Sequence, residues 1–331
     1  GSPTYRLGLE TSLAMPGTYR SRRQVRAAAV EVAARTGDAA RRERTRQGLD
    51  LWHRLVESDR QRRLTDSLAD YAREVVRITR ARRRVGDVDS LEALRAELLL
   101  AGAVDDSIVA SGEQMALRSL AERKIDLPDR WRLRSGLPAA DSLLRIDRDE
   151  ILGQAIATDP TIALIDAQGR HADAAADVAA ATRAPTIDLG LGVASVDGRV
   201  GYLEGEIGLE MSIGRWGSDP AVEAETARRA GLDLVSQRRS REIAAEILPL
   251  LDRLVAADQR LVHYDQRVLP LLREQTRVVL LLYRNGASPI RPVVDAHEEL
   301  VAGSFERLHL ATIRDLLADE LRLLLAPIDR P

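Results

Sequence analysis

The chain contains 331 residues, with 49 basic and 51 acidic side chains and a formal net charge of −2, so it has no basic excess that would indicate a nucleic-acid partner. The absence of cysteine excludes thiol catalysis, thiolate metal sites and disulfides. Aromatic residues make up only 3% of the chain, the abundance of Ala, Leu, Arg and Glu is typical of long helices, and no apolar run approaches the roughly 18 residues of a membrane-spanning helix.

Two similar phrases indicate a duplicated unit. LETSLAMPG occupies residues 9–17 and LEMSIGRWG occupies residues 209–217, a separation of 200 positions. Gly86 and Gly286 follow at the same separation, each after a long helical stretch. We therefore divide the chain into a first repeat, residues 1–150, and a second repeat, residues 151–331.

The first repeat opens with a predicted strand at about 4–14, because leucines alternate there with small or polar residues. The other predicted elements are a long helix at about 18–85, a turn at Gly86, a return helix at about 89–125 and a linker to residue 150. Compared with the second repeat, this one lacks an N-terminal helix and a first strand, and we expect both to precede residue 1.

The second repeat has the complete set of elements. They are a helix at about 148–182, strands at about 186–195 and 202–213, a long helix at about 218–284 and a return helix at about 290–325. Period-two alternation predicts the strands, and apolar residues at three- and four-residue steps predict the long helix, with local loosening at Pro249 and Pro270. A helix of about 65 residues is about 100 Å long, so we expect each long helix to pack on its return helix as an antiparallel coiled coil.

Three stretches carry a family resemblance. YRNGASPIRPVVDAHEEL (residues 283–300) is similar to a Tyr-Arg-x-Gly-x-x-Ser turn with its following helix, and LEMSIGRWG to a strand that ends on a glycine before a long helix. Residues 157–193 resemble a helix that leads through a proline into a strand hairpin. With the same order of elements in both repeats, the chain resembles the TolC-like outer membrane efflux proteins, the outer membrane factors of tripartite efflux and secretion systems.

The resemblance implies a mainly α fold with a small β portion: a duplicated strand hairpin and long antiparallel helical hairpin, forming an α-barrel and a β-barrel in a homotrimer. It implies a channel subunit in the outer membrane of a Gram-negative bacterium, extending into the periplasm. This subunit would be the passive exit duct of a tripartite efflux or type I secretion system, for drugs, metal ions or other cargo. The implied partners are a periplasmic adaptor (membrane fusion) protein, an inner-membrane transporter of RND or ABC type and, for the full-length protein, outer-membrane lipid.

An alternative is a soluble periplasmic scaffold or adaptor-like protein, built of helical hairpins and without a pore. The two hypotheses differ at the strands, because a scaffold has no need to alternate apolar and acidic residues. An enzyme is not predicted: the five histidines are scattered, and no metal, phosphate-loop or nucleophile motif is present. We likewise predict no cofactor and no metal site.

The resemblance also assigns expected roles to particular residues. The hairpin tips, expected to contact the adaptor, comprise Gly86, Asp87, Asp89, Ser90, Gly286 and Ser288. Asp and Ser at such positions are equally explained as helix caps. A periplasmic gate is expected at Asp295 and Arg284, although a cation at a helix C-terminus needs no gate to explain it. The strand carboxylates expected to face the lumen are Glu10, Asp188, Glu204, Glu206 and Glu210.

Overall fold

The computed structural model describes residues 4–14, 16–125, 147–181, 185–196, 199–210 and 219–326. In chain order its elements are β1 (Thr4–Ala14), α1 (Pro16–Arg84), α2 (Ser90–Ile125), α3 (Arg148–Thr158), α4 (Pro160–Ala181), β2 (Thr186–Val196), β3 (Arg199–Glu210), α5 (Pro220–His263), a π-helical turn (Tyr264–Val268), α6 (Leu269–Arg284) and α7 (Arg291–Leu325). The predicted fold class is confirmed, since the protein is mainly helical with one small sheet and its first long helix runs unbroken for 69 residues.

The chain forms two compact units, and each takes segments from both sequence repeats. The first unit contains residues 1–42, 155–244 and 327–331, and the second contains residues 43–154 and 245–326. The division into repeats at residue 150 therefore describes the order of elements along the chain rather than its compact units.

The first unit contains an antiparallel three-stranded sheet in the order β1-β2-β3. Leu9 pairs with Leu191 and, on the other side of β2, Leu191 pairs with Gly205. The neighbouring row joins Glu10, Gly190 and Glu206. Because opposed residues of an antiparallel pair share a face, the sheet has one leucine-rich face and one acidic face. Of the predicted strand at 202–213, residues 211–213 lie outside the described residues.

The single helix predicted at 148–182 is two helices, α3 and α4, because residues 159 and 160 start a new helix. Asp159 caps α4: its Oδ1 accepts a hydrogen bond from the Ile162 N–H at 2.9 Å. Pro160 is the first residue of α4, a position where its missing N–H costs nothing. The Asp159 side chain is buried, and its other oxygen accepts from Arg239 Nη2 at 3.0 Å.

The long helix predicted at 218–284 is likewise divided, into α5, the π-helical turn and α6. Pro270 explains the position of this irregularity, since it has no N–H to donate to the carbonyl four residues earlier and its ring displaces that turn. The π-helical turn at Tyr264–Val268 ends two residues before this proline. Pro249 lies inside α5, which continues on both sides of it.

One core of the second unit lies beside the two helical turns. It is a cluster of buried residues from α1, α2, α6, α7 and the turn before α7: Val75, Val76, Ile78, Ala96, Tyr283, Ile290 and Val293. Burial of a valine or isoleucine side chain contributes about 1.5–3 kcal/mol, so this cluster stabilises both hairpins at their tips. Across the described helices, none combines the length and the apolar character needed to cross a membrane.

Candidate functional site

The first hairpin tip ends α1 in a Schellman motif. Gly86 has a φ of +79°, a left-handed conformation that glycine adopts without steric cost. Its N–H donates to the carbonyl of Arg83 at 3.1 Å, and the Asp87 N–H donates to the carbonyl of Arg82, also at 3.1 Å. These two bonds satisfy carbonyls that the end of a helix otherwise leaves unpaired.

The second tip repeats the same motif 200 residues later. Gly286 has a φ of +74°, its N–H donates to Tyr283 at 3.1 Å, and the Ala287 N–H donates to Leu282 at 2.9 Å. The two predicted turn glycines are thus structurally equivalent. Their expected contact with an adaptor remains a prediction.

The side chain of Arg82 joins the two tips, and we call this arrangement the tip clamp. Its Nε donates to Asp87 Oδ2 at 2.7 Å, and its Nη1 donates to the backbone carbonyl of Tyr283 at 2.8 Å. The guanidinium carbon also lies 4.6 Å from the centroid of the Tyr283 ring, a cation–π distance. Arg82 is only 11% exposed, so solvent screens these interactions less than those of the surface arginines.

Tyr283 completes the tip clamp from inside the core. It is fully buried, and its hydroxyl lies 2.7 Å from the Thr79 hydroxyl, which itself donates to the carbonyl of Val75 at 2.8 Å. Burial raises the pKa of Tyr283, so the phenol stays neutral at physiological pH. Sequence analysis missed this site because its two halves lie 201 residues apart. The one available signal is the Tyr-Arg pair of the second tip, which has no counterpart in the first.

The predicted cap residues have local roles in the structure. Asp89 caps α2, since its Oδ1 accepts from the Glu92 N–H at 2.7 Å, and Glu92 Oε1 accepts from the Ile290 N–H at 3.4 Å. Ser90 is exposed at the start of α2, and the Ser288 hydroxyl donates to the carbonyl of Pro289 at 3.2 Å. These contacts account for the residue types at the tips without reference to a partner.

The predicted gate residues do not meet each other in the described chain. Asp295 lies 3.9 Å from Arg291, one turn away on α7, and its side chain is exposed. Arg284 is exposed at the end of α6, where a cation interacts favourably with the helix dipole. Their expected role at a gate stays a prediction.

The strand register places all five predicted carboxylates on the acidic face of the sheet. Asp188 lies opposite Gly208, Glu204 opposite Gly192 and Glu210 opposite Thr186, all in rows on the same face as the row of Glu10 and Glu206. Glycines make room in these rows, because an added Cβ at Gly190 would lie 3.3 Å from the Cβ of Glu206. The side chain of Glu204 lies outside the described residues, so its assignment rests on the backbone register alone.

The tip glycines provide a first test of this geometry. Replacing Gly286 with valine should destabilise the second tip by about 1–2 kcal/mol, because a β-branched residue tolerates a left-handed backbone poorly. Amide exchange in the last turn of α6 should then accelerate by about 5–30-fold. Gly286→Asn is the matched control, since asparagine tolerates this conformation, and equal exchange in both variants would contradict the assigned motif.

Comparison with known proteins identifies the fold. No protein-family model and no curated protein sequence matches the chain. Solved structures do match. CusC superposes with a TM-score of 0.77 at 14% identity, over 99% of this chain and 83% of CusC, in a study of its transmembrane channel formation. The open state of the MtrE outer membrane channel of Neisseria gonorrhoeae gives 0.72 at 17% identity, over 99% of this chain and 81% of MtrE.

The outer membrane protein VceC of Vibrio cholerae gives a TM-score of 0.72 at 11% identity, over 99% of this chain and 88% of VceC. Sequence identities this low establish the fold but not the cargo or the partners. The matched proteins themselves are described as outer membrane or channel-forming proteins. The resemblance found in the sequence is confirmed at the level of three-dimensional structure: the chain has the fold of the TolC-family outer membrane channels.

Proposed function

We propose that the protein is a subunit of a homotrimeric outer membrane channel that serves as the passive exit duct of a tripartite efflux or secretion system. A periplasmic adaptor would bind the tips and connect the channel to an inner-membrane transporter of RND or ABC type. The single observation that carries this proposal is the two-faced sheet, considered together with the TolC-like fold.

The leucine-rich face of the sheet is unsuited to water. Leu7, Leu9 and Ile207 are 84%, 82% and 81% exposed, and Leu191, Leu203 and Leu209 on the same face are also exposed. A contiguous apolar surface of this kind is characteristic of an interaction with lipid or with another protein. The acidic face is suited to an aqueous channel, in which three copies of each carboxylate would favour cations. A soluble scaffold would leave the exposed leucines without a function.

Exposed apolar residues on the helices support assembly into a ring. On α2, alternating steps of three and four residues connect Leu91, Leu94 and Leu98, and the same series reaches Ile108 and Met115; all five are exposed. On α5 and α6, exposed apolar residues recur at seven-residue steps: Leu248, Val255, Val262, and then Leu271 and Val278. Both stripes have the spacing of a coiled-coil seam. If one copy places its α2 stripe against the α5–α6 stripe of the next, repetition of this contact closes a ring.

The tips offer an exposed surface for an adaptor. Gly86, Asp87 and Gly286 are exposed, and Val85 beside them exposes most of its apolar side chain. The tip clamp holds these groups in a fixed geometry, which lowers the entropic cost of binding a partner.

Ion selectivity of the full-length protein in planar bilayers tests this proposal. We expect cation-selective channels, and Glu10→Gln together with Glu206→Gln should move the cation-to-anion permeability ratio towards one. Glu74→Gln removes a partly exposed carboxylate from α1 instead and serves as the control, with no expected change in selectivity. The proposal would be contradicted by a protein that inserts but forms no conducting channel. It would also be contradicted if the two strand substitutions left the ion selectivity unchanged.

A further inference from the structure

Two buried imidazoles lie where α1 packs against α7 in the second unit. His53 of α1 lies 3.0 Å from the carboxylate of Asp319 on α7, measured between Nε2 and Oδ2. Nearer the tips, Tyr71 of α1 stacks on His297 of α7, with ring centroids 5.0 Å apart and planes inclined by 4°. The same helix pair therefore contains two titratable rings in different surroundings.

The Nδ1 atom of His297 has no partner for a proton. Its side chain is 3% exposed, and Nδ1 is buried without a hydrogen bond. The hydroxyl of the stacked Tyr71 is also buried without a hydrogen bond, and burial raises the pKa of Tyr71 to about 12, so it offers no negative charge. A proton on Nδ1 would thus place a charge at a buried atom that has no acceptor, next to a neutral ring.

The charged groups around His297 compensate only in part. Burial lowers the pKa of His297, and the negative charge of Asp106 on α2 opposes that shift without cancelling it. A groove of about 620 Å³ between α2 and α7 borders the ring, and its other charged lining residues are Arg95, Arg291, Asp295 and Glu298. From α6, the Thr276 hydroxyl lies 3.3 Å from the carbonyl of Ala296, the residue before His297.

We propose that protonation of His297 in mildly acidic solution loosens the contact between α1 and α7 beside the hairpin tips, so that this contact acts as a proton-sensitive hinge. The direction of this effect follows from the linkage between protonation and helix packing. Above a pH of about 6.5 the ring is neutral whether or not the helices are packed. As the pH falls below that value, the separated helices bind a proton that the packed helices resist, and the packed state loses up to about tenfold in its equilibrium constant per pH unit.

His53 limits the effect to one end of the helix pair. The ring of His53 has a carboxylate partner in Asp319, which also accepts from Arg322 Nη1 at 2.7 Å. The Nδ1 atom of His297 has no such partner. The tip-proximal end, next to Val75 and Val293 in the core cluster, is therefore the part that should loosen. This hinge does not depend on the proposed channel function.

Hydrogen exchange of the full-length protein tests the hinge. Protection factors, which correct for the intrinsic pH dependence of exchange, are measured between pH 7.5 and pH 5.0 for residues 68–80 and 290–300. We expect them to fall by up to about tenfold per pH unit below about pH 6.5, while residues 45–60 and 312–322 change little. Protection that is independent of pH at the tip-proximal segments would overturn the proposal.

Substitutions assign the response to one ring. His297→Phe keeps an aromatic ring on Tyr71 but cannot titrate, so it should abolish the pH dependence, and His297→Gln is a second non-titrating variant should phenylalanine disturb packing. His309→Gln changes an exposed histidine of the same helix and should retain the wild-type response. A pH dependence that persists in both His297 variants would refute the assignment.

Discussion

Under the proposed channel function, replacing Ile207 with arginine should prevent stable insertion of the protein into the outer membrane while leaving its helical content intact. Ile207 is 81% exposed on the leucine-rich face, opposite Leu189 of the neighbouring strand. An arginine facing lipid costs about 2–4 kcal/mol at the bilayer midplane and less near the interfaces, and a trimer would bear this cost three times. The fraction of protein recovered in outer-membrane vesicles, and its resistance to extraction by alkaline carbonate, measure the effect.

The adjacent residue provides a charge-matched control. Glu206→Arg introduces the same side chain one position earlier, on the acidic face, where the proposed lumen keeps it in water. We expect this variant to insert normally and to shift ion selectivity towards anions. If both arginine variants inserted equally well, the leucine-rich face would not contact lipid, and the soluble scaffold would become the better explanation.

The sheet was predictable because its signal is local. Alternation with a period of two is visible within each strand, and it fixes which residues share a face before any pairing is known. Pairing then brings Glu10 and Glu206 into one row across Gly190, a detail that needs the register. The tip glycines were predictable for a similar reason, since each follows a long helical pattern and takes the left-handed conformation that ends a helix.

The features that the sequence did not predict depend either on a local interruption of a helix or on contacts between residues far apart in the chain. The start of α4 has a sequence signal, since Asp159 is a capping residue and Pro160 is a favoured first residue of a helix. The helical pattern continues on both sides of this pair, so the sequence predicted one helix instead of two. The π-helical turn before Pro270 has no sequence signature beyond the proline itself. Arg82 appears in the sequence as one of several arginines at a helix end. Only the folded chain shows that it contacts Tyr283.

The tip clamp supplies a physical basis for keeping the two hairpin tips together. Tyr283→Ala removes a fully buried aromatic ring and should destabilise the tip region by about 3–5 kcal/mol. The same change removes the ring over which Arg82 lies. If the joined tips restrict the proposed duct, the full-length variant should show a larger open probability in planar bilayers without any adaptor present.

Two milder variants separate the contribution of the buried Tyr283 ring from that of the Arg82 contacts. Tyr283→Phe removes only the hydroxyl, and Thr79 keeps its bond to the Val75 carbonyl, so a cost of about 1 kcal/mol and little change in opening are expected. Arg82→Lys keeps the charge but loses the planar fork that reaches both Asp87 and the Tyr283 carbonyl, so it should raise opening with little loss of core stability. An ordering in which Tyr283→Phe opens the channel more than Arg82→Lys would mean that the Thr79 hydroxyl, rather than the arginine, holds the two hairpins together.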